Sequence, residues 1–394
     1  ESEFSKLATT RIIPRSNGEF QELKPPNASI FLSGNGPLVA VLKNALGRGS
    51  NQFIQDVRKY VQHHEGGEKR IPLHHVIIFD EAQRAWDRDK VERRHKGAVE
   101  GSEPDMFIGM ANRIPDWGAV VGLIGTGQEI HDGEESGLQQ WVDAIENIEG
   151  IDNWDIHAPP GIIEQIQTRN IQSYSEPLLT LNATIRTHFG EMLHHWVDGV
   201  LGHVDTPYQD IVELYKQLKD SGFKIYFTSN LRKAKMYLWN RYEKSPDARY
   251  GMICSSRDKS LGTYGMKTLS WPKTLNYGRW YNEDRNHSDS CCALDLAVTE
   301  FDSQGLELDF TIVGWGNDFI LEKGEWNNDR ARNYAHTSEI KDAFTLRRNA
   351  YRVLLTRARD GMILYLPTND LLEETRQHLI RCGLEDLNDV DSQQ

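Results

Sequence analysis

The chain has 394 residues, 38% of them hydrophobic, which is enough for two domains that each bury a core. Its 58 acids against 45 Lys and Arg give a formal net charge of -13, which excludes a uniformly basic surface and confines any polynucleotide contact to a local groove. The four cysteines, Cys254, Cys291, Cys292 and Cys382, have neither disulfide-framework nor metal-ligand spacing, and no apolar run approaches the roughly 18 residues of a membrane span, so a soluble protein of a reducing cytoplasm is expected. The sequence opens on Glu1 and its first methionine is Met106, the pattern expected of a processed chain or a fragment.

Residues 1–28 lack periodicity and end in Pro25-Pro26, which predicts an extended entry segment. Ser29 to Ser33 then predicts a strand, Gly34-Asn35-Gly36-Pro37 a turn, and Leu38 to Leu46 a helix. A strand, glycine turn and helix suggest a phosphate loop, but such a loop needs a Lys directly after its last Gly, and the chain contains no Gly-Lys pair. The turn at Asn35 is therefore read as structural or as facing nucleic acid. The spacing of Phe53, Val57 and Tyr60 predicts a helix over 51–64, followed by a polar surface loop to Arg70.

Val76 to Phe79 is a run of four large apolar residues that predicts a fully buried parallel strand, and Asp80-Glu81 follow at its carboxyl end. In nucleotide hydrolases a strand ends this way because the first acid holds Mg beside the phosphates and the second directs the attacking water. Alone, such a pair is more often the start of a solvated loop. Met106 to Ile114 predicts a helix stopped by Pro115, and Ala119 to Ile124 a second buried strand ending in Gly125-Thr126-Gly127-Gln128. Glycines let the backbone approach a site, and the Gln128 amide can bond both a phosphate oxygen and a water, the properties of a sensor. The competing reading is a turn whose Gln faces solvent.

A helix is predicted from Gly137 to Ile148, and the polar stretch before Pro177 marks a domain boundary. Lys224 to Ser229, Leu231 to Tyr242 and Tyr250 to Ser256 predict a strand, helix, strand unit of a second parallel sheet. Residues 257–298 are irregular and carry Trp271 and Trp280 among bases. These aromatics either stack on unpaired bases or pin the loop. A strand over Phe310 to Val313, a helix holding Asn349 to Arg359 and a strand over Met362 to Leu366 complete the chain. Arg186 and Arg357 fall in the second half, and an arginine brought across a cleft stabilises charge that develops on a transferred phosphoryl group. Taken singly, each is more often a surface ion pair.

The ordered set resembles the motor core of superfamily 1 helicases. Asp80-Glu81-Ala82-Gln83 resembles the acidic motif II and Gly125 to Glu129 the glutamine motif III. Leu181 to His188 resembles the arginine-bearing motif IV, Thr299 to Glu307 motif V with its Gln-Gly-Leu-Glu core, and Val353 to Arg359 motif VI. Phe31 to Val39, Phe79 to Trp86 and Asn349 to Ala358 are similar to a bacterial domain-of-unknown-function family of helicase-like ATPases related to the Schlafen helicase domain. The resemblance implies an α/β protein of two tandem RecA-like domains with mainly parallel sheets, over 29–176 and 177–394, behind an entry segment at 1–28. It implies ATP and Mg as cofactors, single-stranded or partly duplex nucleic acid as partner, and no membrane. Catalytic roles then fall to Glu81, Gln128, Arg186 and Arg357, nucleotide and metal contacts to Asp80, Gln83, Gln304, Gly305 and Glu307, and strand contacts to Asn35, Trp271 and Trp280. The family's phosphate loop lies upstream of the strand at Ser29, and residues 1–28 hold none. The alternative is therefore a non-hydrolysing nucleotide- or nucleic-acid-binding switch or scaffold, with a protein partner in an antiviral defence assembly.

Overall fold

Short runs of β-branched and aromatic residues form the strands here, and pairing them in parallel obliges the chain to cross back over the sheet between strands, which is the work of the helices. A computed structural model describes residues 11–14, 20–23, 28–66, 69–95, 101–124, 138–166, 171–180, 190–202, 206–268, 275–332 and 342–390. The chain divides into two units, Glu1–Ala183 and Thr184–Gln394, and each has its own parallel sheet, as the expected α/β class requires.

The first unit opens with an antiparallel hairpin of β1 (Arg11–Pro14) and β2 (Phe20–Leu23), where sequence reasoning expected no element. There follow β3 (Ser29–Ser33), α1 (Gly36–Leu46), β4 (Ile54–Asp56), α2 (Val57–Glu65), β5 (Val76–Asp80), α3 (Arg88–His95), α4 (Glu103–Asn112), β6 (Ala119–Gly122) and α5 (Gln139–Glu146). A small parallel pair, β7 (Asp155–Ala158) and β8 (Gln172–Ser175), encloses α6 (Pro160–Ile163). The main sheet runs β4-β3-β5-β6, all parallel. One face, carrying Ile30, Leu32, Ile77 and Phe79, packs on Tyr60 and Val61 of α2 and Phe107 and Met110 of α4. Ile78 on the other face is only half-buried, so the strand before Asp80 is fully buried on one side and not, as expected, on both.

Two further expectations change for a physical reason. The helix expected over 51–64 starts at Val57, because Ile54 to Asp56 pair with Phe31 to Ser33 as a strand and Asp56 then caps α2 through the Lys59 amide. The segment 119–124, expected to be buried, forms the short edge strand β6, with Val121 41% exposed. Among the described residues no strand pairs with its outer edge.

The second unit contains α7 (Gly190–Val200), α8 (Tyr208–Asp220), β9 (Lys224–Thr228), α9 (Leu231–Arg241), β10 (Tyr250–Cys254), α10 (Tyr277–Asn282), β11 (Ala297–Thr299), α11 (Glu300–Ser303) and β12 (Leu308–Gly314). After the hairpin of β13 (Ile320–Glu322) and β14 (Glu325–Asn327) come α12 (Ala343–Leu355), β15 (Ala358–Tyr365), α13 (Glu373–Arg381), β16 (Glu385–Asp386) and α14 (Leu387–Val390). The six-stranded sheet runs β11-β10-β12-β15-β9-β16, all parallel. β10 is buried at every residue and β12 at all but Asp309, the mark of a sheet covered on both faces. The helix expected to continue through Arg359 ends at Leu355. Ala358 instead opposes Leu308 and opens β15, so Arg359 stands on a strand.

Where β15 passes β9 the backbones leave no room for a side chain at Gly361. A Cβ there would run into the Lys224 carbonyl oxygen and sit 2.7 Å from the Phe310 ring. Gly361→Ala is expected to lower stability by about 1–3 kcal/mol, the usual cost of overpacking. Gly262→Ala, with nothing within 4 Å of its Cβ, leaves the thermal midpoint unchanged. Equal midpoints for both variants would contradict this packing.

Candidate functional site

In a parallel sheet every strand delivers its carboxyl end to the same edge, so side chains there converge without a dedicated scaffold. In the first unit Asp80 closes β5 directly opposite Ser33, the last residue of β3. The Ser33 hydroxyl donates to Asp80 Oδ2 at 3.0 Å and accepts from the Asn35 amide at 3.1 Å. The Asn35 side chain accepts in turn from the Leu38 amide, making it the N-cap of α1. Its Oδ1 thus lies on the backbone of its own helix. Sequence reasoning passed over Ser33; its place at a strand end beside Asn-Gly-Pro was the available signal.

Glu81 has φ 56° and ψ 48°, a left-handed conformation that residues with a Cβ seldom adopt. Its neighbours hold it there. The Ala82 amide donates to the Leu123 carbonyl at 2.7 Å, the Leu123 amide donates to the Phe79 carbonyl at 2.9 Å, and Trp141 Nε1 donates to the Ala82 carbonyl at 2.8 Å. A Cβ on Gly122 would lie 3.1 Å from that of Ala82, so the glycine lets β6 run close against the turn. The buried Gln83 side chain donates to Glu81 Oε2 at 2.6 Å, fixing the carboxylate's direction. Asp80 and Glu81 are both half-buried, hydrogen-bonded from the protein side and accessible from outside. Two oxygen donors on adjacent strand ends, Asp80 and Ser33, suit a hard cation such as Mg. Gln128, which the sequence assigned to this edge, lies outside the described residues.

The second unit brings together the other two sequence segments. Thr299 caps α11 in a reciprocal box with Asp302, Gln304 is buried at the end of that helix, and Gly305 turns the chain at φ 75° into β12. The Leu308 amide donates to the Arg357 carbonyl, so the Gln304 to Glu307 turn runs alongside Arg357 to Arg359, and the Arg359 guanidinium lies 3.9 Å from Glu307. The Arg357 residue is 7% exposed, and its Nε donates to the Val353 carbonyl at 3.2 Å. Trp280 is 2% exposed and packs over Gly251 of β10, so the ring expected to meet bases is part of the core. Arg186 and Trp271 lie outside the described residues.

No motif pointed to the buried charges at the opposite, carboxyl edge of this sheet, where β10, β11 and β12 end. Arg347 of α12 pairs with Glu300 at 2.7 Å and Asp318 at 3.4 Å, all three at most 1% exposed. Glu300 also accepts from the Ser256 amide and hydroxyl, and Asp318 from the hydroxyls of Ser255 and Tyr351. Burial pushes the Asp318 carboxyl up to about 6 against the opposing pull of Arg347. The network fastens α11, α12 and the ends of β10 and β12 to one another. Arg347→Met strands two buried carboxylates and is expected to cost about 3–5 kcal/mol. In a double-mutant cycle with Glu300→Gln the two losses should fall well short of additive, and simple additivity in chemical denaturation would contradict the pairing.

Two α/β units, one with acids at the carboxyl edge of its parallel sheet and one with a Gln-Gly turn beside an arginine segment at the amino edge of its own, have the make-up of a helicase-like protein. The chain belongs to the family of the Schlafen group 3 DNA/RNA helicase domain, whose model matches residues 12–368. No curated protein matches it. Among solved structures it is similar to a point variant of Saccharomyces cerevisiae Dbp5 bound to RNA and ADP BeF3, at 10% identity and a TM-score of 0.30 over 94% of this chain and 82% of that one. The Pyrococcus furiosus Hef helicase domain gives 10% identity and a TM-score of 0.27 over 90% and 89%. Overlaps this slight leave the family to rest on the sequence match.

Proposed function

We propose that this chain is the core of an ATP-dependent nucleic-acid motor acting on single-stranded or partly duplex substrates. The observation that carries the reading is the Asp80-Glu81 turn, where two acids project from a strand end in a constrained conformation and one is tied to a hydroxyl on the neighbouring strand. Strained backbone recurs at active-site turns, which supports this reading. Membership in a DNA/RNA helicase family supports the substrate class.

In this reading Asp80 and Ser33 hold Mg, which supplies positive charge against the phosphates of bound ATP. Glu81, aimed by Gln83, orients and deprotonates a water. Arg357 and Arg186 neutralise charge on the transferred group, Gln128 senses it, and Gln304, Gly305 and Glu307 relay its presence toward the strand. The phosphate cradle is not among these residues, because the sequence has no Gly-Lys pair.

The absent Gly-Lys pair also favours the second reading, a nucleotide- or strand-binding switch that does not hydrolyse, serving a defence assembly with a protein partner. ATP turnover with Mg, measured with and without single-stranded DNA or RNA, separates the two. The motor reading expects strand-stimulated turnover that falls by at least about 100-fold in Glu81→Gln, the scale of a lost general base, while strand binding persists. Strand binding without turnover in the unaltered protein would establish the switch.

A further inference from the structure

The helix α9, Leu-Arg-Lys-Ala-Lys-Met-Tyr-Leu-Trp-Asn-Arg, carries four cations and no acid in its 11 residues. In a chain whose acids outnumber its bases 58 to 45, that is a strong local reversal of sign. Ala234 and Leu238 point inward and anchor the helix. Residues four apart share a face, so Arg232, Met236 and Asn240 form an outer ridge, and Lys233, Tyr237 and Arg241 a flank beside it. An open groove of about 660 Å3 runs along these two rows, with Asn230 at its head.

Of the groove's apolar members Met236 is 46% exposed and Tyr237 half-buried. The Tyr237 ring is braced by Tyr226 at 5.7 Å and Phe310 at 5.8 Å, and the Arg241 guanidinium lies 5.5 Å from the rings of Tyr242 and Phe310. A half-exposed Tyr237 ring, held in place by buried rings and flanked by cations, suits a ligand that pairs flat apolar groups with negative charge. A single nucleic-acid strand has that composition, whereas an acidic peptide offers charge with nothing for the rings to stack on.

We propose that the outer face of α9 is a binding track for a single nucleic-acid strand, with Arg232, Lys233 and Arg241 meeting phosphates and Met236 and Tyr237 meeting bases. The proposal rests on the reading of this chain as a nucleic-acid-binding protein and adds a surface that none of its sequence motifs supplies. Asn230 caps the helix through the Lys233 amide, which keeps the amino end of the track in place.

Binding of fluorescein-labelled oligothymidine and oligouridine, followed by anisotropy over a range of salt, tests it. Arg232→Glu/Lys233→Glu should weaken binding by at least about tenfold at low salt and reduce the salt slope by about 1.4, the loss of two phosphate contacts at about 0.7 each. Lys216→Glu/Lys323→Glu, the same charge change at residues that do not line the groove, should alter affinity less than about twofold by the same electrostatic scale. A milder pair, Arg232→Gln/Lys233→Gln, with melting curves for every variant, covers a failure of the reversal to fold. The proposal is overturned by equal losses in both pairs, by no loss in the α9 pair, or by polyglutamate competing as well as unlabelled strand. Strand-stimulated ATP turnover in the unaltered protein, with normal strand binding by the α9 pair, removes the track and leaves the motor. No strand binding by the unaltered protein removes both.

Discussion

A single left-handed residue sets the geometry of the turn at the carboxyl edge of the first unit's sheet. Glu81 occupies a backbone region that costs a non-glycine residue on the order of 1 kcal/mol or more, and it stays there because Ala82 is bonded to Leu123 and Trp141 while Asp80 is bonded to Ser33. Relaxing the turn into an ordinary conformation would break those bonds and swing the carboxylate away from the strand end. Sheet order and helix packing together impose this turn. Gly122 belongs to the same device, since a larger residue would press β6 away from Ala82.

The second unit obtains order by another route. Its sheet is covered on both faces, and its carboxyl edge is tied by charges removed from water rather than by a strained turn. A buried Arg347 between Glu300 and Asp318 adds little net stability over well-packed apolar residues, but it tolerates few alternative arrangements, because any shift leaves a charge unpaired in a medium that cannot solvate it. The turn carrying Gln304 and the helix leading to Arg357 are thereby held in one geometry. Both units thus use physical over-determination at the edge where a parallel sheet gathers its strand ends.

Much of this was legible in the sequence wherever a long apolar run met a sharp change of residue type. Ser29 to Ser33 and Val76 to Asp80 were readable as strands for that reason, and Pro37 marked the start of α1. Three-residue strands were not, because Ile54 to Asp56 and Ala297 to Thr299 are too short for a period and exist only through their partners. The end of α12 was misplaced since Thr356 to Arg359 continues a helical pattern, and only the pairing of Ala358 with Leu308 stops it. Asp80 and Glu81 announced themselves as acids after an apolar run. Ser33, Glu300, Asp318 and Arg347 did not, because their significance lies in residues distant in the chain that only the fold brings near, as Ser255 and Arg347 converge on Asp318. Trp280 was legible as an aromatic among bases, yet burial rather than composition decides what a ring can meet.

The central claim is that Asp80, positioned by Ser33, is a ligand for the metal that accompanies the nucleotide. Mn²⁺ standing in for Mg allows this to be read directly, by electron paramagnetic resonance titration of the protein in the presence of a non-hydrolysable ATP analogue. Asp80→Ala is expected to weaken nucleotide-dependent Mn²⁺ binding by at least about tenfold and Ser33→Ala by a smaller factor, as loss of a charged ligand and loss of a neutral one should. Identical Mn²⁺ binding in the unaltered protein and in Asp80→Ala would contradict it.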